Sequence, residues 1–165
     1  MTKWLNQDEQ HSWRAWLAAS LLLNDRLNRD MQAQHDLTMA DYEILVRLSE
    51  VPDRRMRMSD LAHATLSSRS RLSHQIDRME KDGLVDRQQC ADDRRGAFAI
   101  LTDHGWTTLV AAAPDHVGSV RAHLVDQLSA KEFAALGAAC QKVAQHLTDI
   151  EDAREVASPT RLQVP

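Results

Sequence analysis

The stretch from Ser67 to Val85, SSRSRLSHQIDRMEKDGLV, constrains the fold of this chain more than any other. Leu72, Ile76 and Met79 recur at helical spacing along one side of it. At about 100° per residue, Ser70, His74 and Lys81 lie opposite, flanked by Arg71, Asp77 and Arg78. Ser68 is placed to cap the helix and Gly83 to stop it with a left-handed residue. Just upstream, MSDLAHAT reads as a shorter helix capped by Ser59, joined to the first by a tight turn at Leu66 and Ser67. Two short helices that share an apolar face across such a turn make a helix-turn-helix. Downstream the helical period disappears, Phe98 and Ile100 alternate with smaller residues, and a charged tip ends at Gly96. That pattern predicts a two-stranded β wing.

The flanking sequence is helical. Trp13, Trp16, Leu17, Leu21, Leu27 and Met31 mark a long helix from about Asp8 to about Gln34. Thr38 and Asp41 give the T-x-x-D start of the next, whose buried stripe is Tyr42, Leu45 and Leu48 and which Pro52 ends. Thr102 caps a helix that Pro114 is expected to kink, and Ser129 with Glu132 forms a capping box for the last one. In that last helix Phe133, Leu136, Cys140, Val143, Leu147 and Ile150 alternate spacings of three and four, a seam for lengthwise packing against a partner. Residues 151–165 show no period and are expected to be disordered. With aromatic residues at only 4%, a large β-sandwich is excluded. The fold class is mainly α, a winged helix-turn-helix. Residues 37–101 form the winged module, and residues 1–36 with 102–150 form a helical dimerisation region. The terminal helices carry more apolar surface than a lone winged helix covers, so a homodimer is expected.

A net charge of −4 argues against a nucleic-acid partner until its distribution is considered. Residues 54–95 carry ten Arg or Lys against seven Asp or Glu, whereas the remainder carries ten against seventeen. A basic module thus sits on an acidic body. The helix from 68 to 82 has the width of a DNA major groove, and its early donors are placed to reach base edges or phosphates: Ser68, Arg69, Ser70, Arg71, Ser73 and His74, with Arg78 further on. Arg94 and Arg95 at the wing tip, residues 91–96, suit the narrow minor groove, with Asp93 as wing support that holds one of them by a bidentate pair. Two-fold symmetry would set two such helices about one DNA turn apart, roughly 34 Å, which predicts a palindromic operator.

Other chemistries find less support. No GxGxxG, GKS/T or HExxH pattern occurs, so no cofactor, metal or catalytic residue is assigned and an enzyme is not expected. The longest apolar run, Ala15 to Leu23, is too short for a bilayer and follows Asp8 and Glu9, so the expectation is a cytoplasmic protein without a membrane partner. His11, Trp13, Trp16, Arg26, Met39 and Tyr42 are candidates for a small-molecule pocket, although aromatic stripes at helical spacing more often pack a core. Cys90 at the mouth of the wing is a lesser candidate for an oxidant sensor, with no cysteine near it in sequence.

From Leu66 to Gly105 the chain resembles the MarR (multiple antibiotic resistance regulator) family. The S-x-S start, the D-R-x-E-x-x-G-L-V helix exit, the D-x-R wing and the L-T-x-x-G run carry the likeness, and LTMADYEILVRLSE extends it upstream. His74 and Gln75 stand where many members have Arg and an aliphatic residue. The resemblance implies a winged-helix homodimer whose first and last two helices interlock. It commonly implies repression of neighbouring genes, relieved by a small aromatic or phenolic effector. The competing expectation is a winged helix used for protein association or for non-specific binding to the nucleoid.

Overall fold

The computed structural model describes residues 1–90 and 96–157, with side chains given as far as 150. The chain divides into two units, Met1–Arg121 and Ala122–Pro165. The first opens with α1 (Gln7–His35), capped by Asn6, whose side chain accepts from the Glu9 amide while Glu9 reaches back to the Asn6 amide. Then follow α2 (Met39–Ser49), a 3₁₀ turn at Pro52–Arg54, β1 (Arg55–Arg57), α3 (Met58–Ala64) and α4 (Arg69–Lys81). The wing strands β2 (Val85–Gln89) and β3 (Ala97–Leu101) lead into α5 (Asp103–His123). The second unit holds a 3₁₀ turn at Val125–Gln127 and α6 (Ala130–Ala157).

Local chemistry accounts for most of these boundaries. Thr38 and Asp41 form a reciprocal capping box at the start of α2, and Ser129 with Glu132 does the same for α6. Ser68 accepts from the Arg71 amide to begin α4, and Gly83 leaves it at φ 71°. Leu66, in the turn between α3 and α4, is also left-handed at φ 49° and stands almost wholly exposed. Thr102 caps α5 by accepting from the Gly105 amide while its own hydroxyl donates to Gly83 O, joining the wing's end to its beginning.

Three expectations need correction. The wing belongs to a larger sheet: among the described residues the strands run antiparallel in the order β1-β3-β2, with Met56 opposite Ala99 and Arg87 opposite Ala99 from the other side. Three residues of strand are too short to show a period, so β1 leaves no pattern in the sequence. Ser59 does not cap α3, because the helix already begins at Met58 and its N-cap, Arg57, makes no side-chain bond. Pro114 lies inside α5 and removes one backbone donor there without ending the helix, which runs on to His123. Finally, α6 runs on to Ala157, so the aperiodic tail is helical in its first part. Residues 158–165 lie outside the described residues.

The core of the first unit gathers around α4. Ile44, Leu45 and Leu48 of α2, Leu61 of α3, Leu72, Ile76 and Met79 of α4 and Val85 of β2 are fully buried. Met31 of α1 and Leu109 and Ala112 of α5 also belong to it. One face of α4 is thus clamped from several directions, which holds the opposite face in place as a rigid ridge.

Candidate nucleic-acid interface

On that ridge Arg69, Ser70, Arg71 and His74 are exposed, and Ser68 is exposed at the cap. Ser73 is only half-buried, and its carbonyl accepts a hydrogen bond from Arg87 Nη2 at 3.2 Å. Among the described residues Arg69, Arg71 and His74 have no ion-pair partner, which leaves their donors to solvent or a ligand.

Two anchors outside the hydrophobic face fix this helix. The first is Asp41, a buried charged residue. Its Oδ2 accepts from Thr38 N at 3.0 Å and Thr38 Oγ1 at 2.6 Å, while its Oδ1 accepts from Gln75 Nε2 at 3.1 Å and from Arg78 Nη2. The second is Arg87 on β2, which pairs with Asp77 Oδ1 at 2.9 Å and whose amide donates to Glu80 Oε1 at 3.1 Å. Sequence reasoning saw Asp41 only as a cap and did not single out Arg87. Both roles depend on residues that are brought together from separate elements.

Arg71, His74, Gln75 and Arg78 line an open depression of about 430 Å³ together with Asn28, Thr38 and Ala40. Asn28 Oδ1 accepts from the Met39 amide at 3.0 Å and so ties α1 to the start of α2 at this spot.

The wing hairpin pairs from Val85 with Leu101 to Gln89 with Ala97, and the Cys90 amide closes on Gly96 O at 2.9 Å. Asp93, Arg94 and Arg95, the tip residues assigned to the minor groove, lie outside the described residues. On the sheet's other edge the guanidinium groups of Arg55 and Arg57 sit 3.9 and 5.3 Å from the Phe98 ring centre in cation–π contact. Cys90 is buried at the tip end of β2, which withholds its thiol from the oxidants that a sensor must meet. Cys140 is exposed on α6.

The candidate small-molecule residues do not converge within one chain. Trp13 and Trp16 stack on each other at 5.3 Å and are half-exposed on α1. His11 lines a separate shallow depression with Gln7, Asp8, Gln10, Arg14 and Ala15. Arg26 pairs with Asp30 at 2.9 Å. Met39 packs against the core, and Tyr42 is buried with its ring 4.7 Å from that of His116. At 1.5 Å per residue Trp16 lies about 18 Å along the helix from Asn28, the residue that meets Met39. The sequence period could not show this, because it reports which face a residue occupies and not how far along the helix its partners lie. Among the described residues no group of three His, Cys, Asp or Glu side chains is arranged to hold a metal ion, and no helix is long and apolar enough to cross a membrane.

Comparison with known proteins agrees with this architecture. The MarR family model matches residues 37–96, from the start of α2 to the end of the wing tip. The transcriptional regulator HosA of Escherichia coli O127:H6 is 35% identical over 98 residues, which cover 59% of this chain and 70% of HosA. The chain belongs to the MarR family. Among solved MarR-family structures, AbsC of Streptomyces coelicolor is 51% identical, with a TM-score of 0.82 over 90% of this chain and 99% of AbsC. Sco3205 of the same organism, solved in complex with DNA, is 42% identical with a TM-score of 0.84, covering 89% of this chain and 92% of its own. MarR-family proteins are DNA-binding transcriptional regulators built on a winged helix, and that is the fold class observed here.

Proposed function

We propose that this MarR-family regulator acts as a homodimer that reads a palindromic operator, with α4 in the major groove and the wing tip in the minor groove, and that it represses transcription. The carrying observation is the exposed set of donors on the first turns of α4, without ion-pair partners among the described residues and held rigid by a buried apolar face and by the Asp41 and Arg87 anchors. Arg71 and His74 are the base-reading candidates, and Arg69, Ser68 and Ser70 suit phosphates near the helix start. Arg94 and Arg95 supply the wing contact and Asp93 their support. Dimerisation is supported by apolar side chains left uncovered on helices: Trp13, Trp16, Leu21 and Leu22 on α1, and Phe133, Val143 and Leu147 on α6.

We infer that the protein also responds to a small aromatic or phenolic effector, as its family resemblance implies. Such a ligand acts by binding more tightly to one spacing of the two recognition helices than to the other. Since the candidate pocket residues are apart within a chain, a pocket that uses both Trp16 and Tyr42 needs a partner subunit.

The test is a salt-titrated binding assay on the DNA upstream of its own gene and on random duplex of equal length. Operator binding should exceed random binding by at least about a thousandfold. Arg71→Ala and His74→Ala should shift base preference, and the paired change of Arg94 and Arg95 to Ala should flatten the salt dependence. Equal affinity for both duplexes would instead indicate a non-specific architectural protein.

A further inference from the structure

α4 carries four permanently cationic side chains, Arg69, Arg71, Arg78 and Lys81. Among the described residues, Arg78 is the one of the four that is held in an ion pair. The geometry of that pair is asymmetric: the Arg78 side chain is 54% exposed and the Asp41 side chain 6%. A buried carboxylate therefore grips one nitrogen of an outward-facing guanidinium.

Capping α2 does not require this grip. The cap uses Thr38 and Asp41 Oδ2, whereas the contacts to Gln75 and Arg78 both fall on Oδ1. The second oxygen is thus directed wholly at α4, and it engages one nitrogen of an Arg78 that lines the same depression as Arg71 and His74. An untethered arginine on a DNA-facing helix reaches whichever phosphate lies within its radius, which adds affinity but no sequence information. A guanidinium with a fixed plane offers its paired donors in one register only.

We propose that Asp41 is a specificity-determining positioning residue, which acts through Arg78 by restricting the angles at which that guanidinium meets the duplex. The inference rests on the DNA-reading role of α4. Removing the tether is expected to make the protein bind DNA no more weakly, and less selectively.

The experiment uses the full chain, a duplex that the wild-type protein enriches from a randomised library, and a scrambled duplex of the same composition. Asp41→Asn should lower the ratio of selected to scrambled affinity about tenfold. It should do so through tighter binding to the scrambled duplex, with a salt slope steeper by about one unit per subunit. Adding Arg78→Ala to Asp41→Asn should abolish that extra binding. Asn6→Ala, which removes the cap of α1 and touches neither Asp41 nor Arg78, should lower the melting temperature and leave the affinity ratio unchanged. Arg78→Lys tests the contact from the exposed side, independently of whether Asp41→Asn folds; it keeps the charge without the planar fork and should also lose discrimination. The proposal is overturned by an unchanged ratio in Asp41→Asn or in Arg78→Lys, or by an equal fall in Asn6→Ala. A wild-type protein that enriches no sequence at all would instead overturn the regulator reading itself.

Discussion

Gly105 shows how a single residue controls the junction of wing and helix. A Cβ placed there would lie 2.1 Å from Leu84 O and 2.7 Å from Leu101 Cδ1, in the first turn of α5 where the chain packs onto the start of β2. Alanine would gain about 0.5–1 kcal/mol of helix preference. The overlap with a backbone carbonyl opposes this with about 3 kcal/mol, the upper end for overpacking, so Gly105→Ala should destabilise the fold by about 2 kcal/mol. A lowered urea midpoint at unchanged slope checks it; a midpoint at or above wild type would show that the approach relaxes freely. The glycine was visible in the L-T-x-x-G run, and the Leu84 carbonyl it faces was not. Asp41 presents the same division: its place in a T-x-x-D start was plain, while its contact with Arg78 joins positions 37 apart in sequence.

Among the elements, α2 and α5 meet through the rings of Tyr42 and His116. Burial raises the Tyr42 pKa and lowers that of His116. Because the folded state favours neutral His116, the unfolded chain takes up a proton near pH 6.5 that the folded chain resists. This contribution to stability is complete above that pH and is lost as pH falls toward the lowered folded value. The melting temperature should therefore drop between pH 7.5 and 5.5, and His116→Phe, which keeps a ring against Tyr42, should flatten that part of the profile. A variant with the wild-type pH profile would count against the assignment. At this scale the sequence read well wherever a cap or a period was long enough to register: α1, α2, α4, the start of α6 and the β2–β3 hairpin were expected within a few residues. It failed on β1, whose three residues are held by pairing with β3 and by Phe98 beneath Arg55 and Arg57.

For the molecule as a whole, the prediction concerns the α6 seam. Val143 and Leu147 are more than half exposed and one turn apart on a helix that is exposed along most of its length. Replacing both with Glu should convert a dimer to monomers in light scattering without loss of helical circular dichroism. Operator affinity should fall about a hundredfold or more, since two half-sites are no longer bound as one event. A double variant that stays dimeric would show that the seam faces something other than a second subunit.

The order of helices, the helix-turn-helix with its wing, and the donors crowded onto the start of α4 follow from the linear chain, because caps, periods and turn residues act over a few positions. Tertiary structure alone decided that the wing belongs to a three-stranded sheet, that the candidate pocket residues stand apart, and that, among the described residues, Arg78 is tethered while Arg71 and His74 are not. Those outcomes depend on which distant side chains meet, and a buried carboxylate satisfies whichever donors the packed core brings within reach.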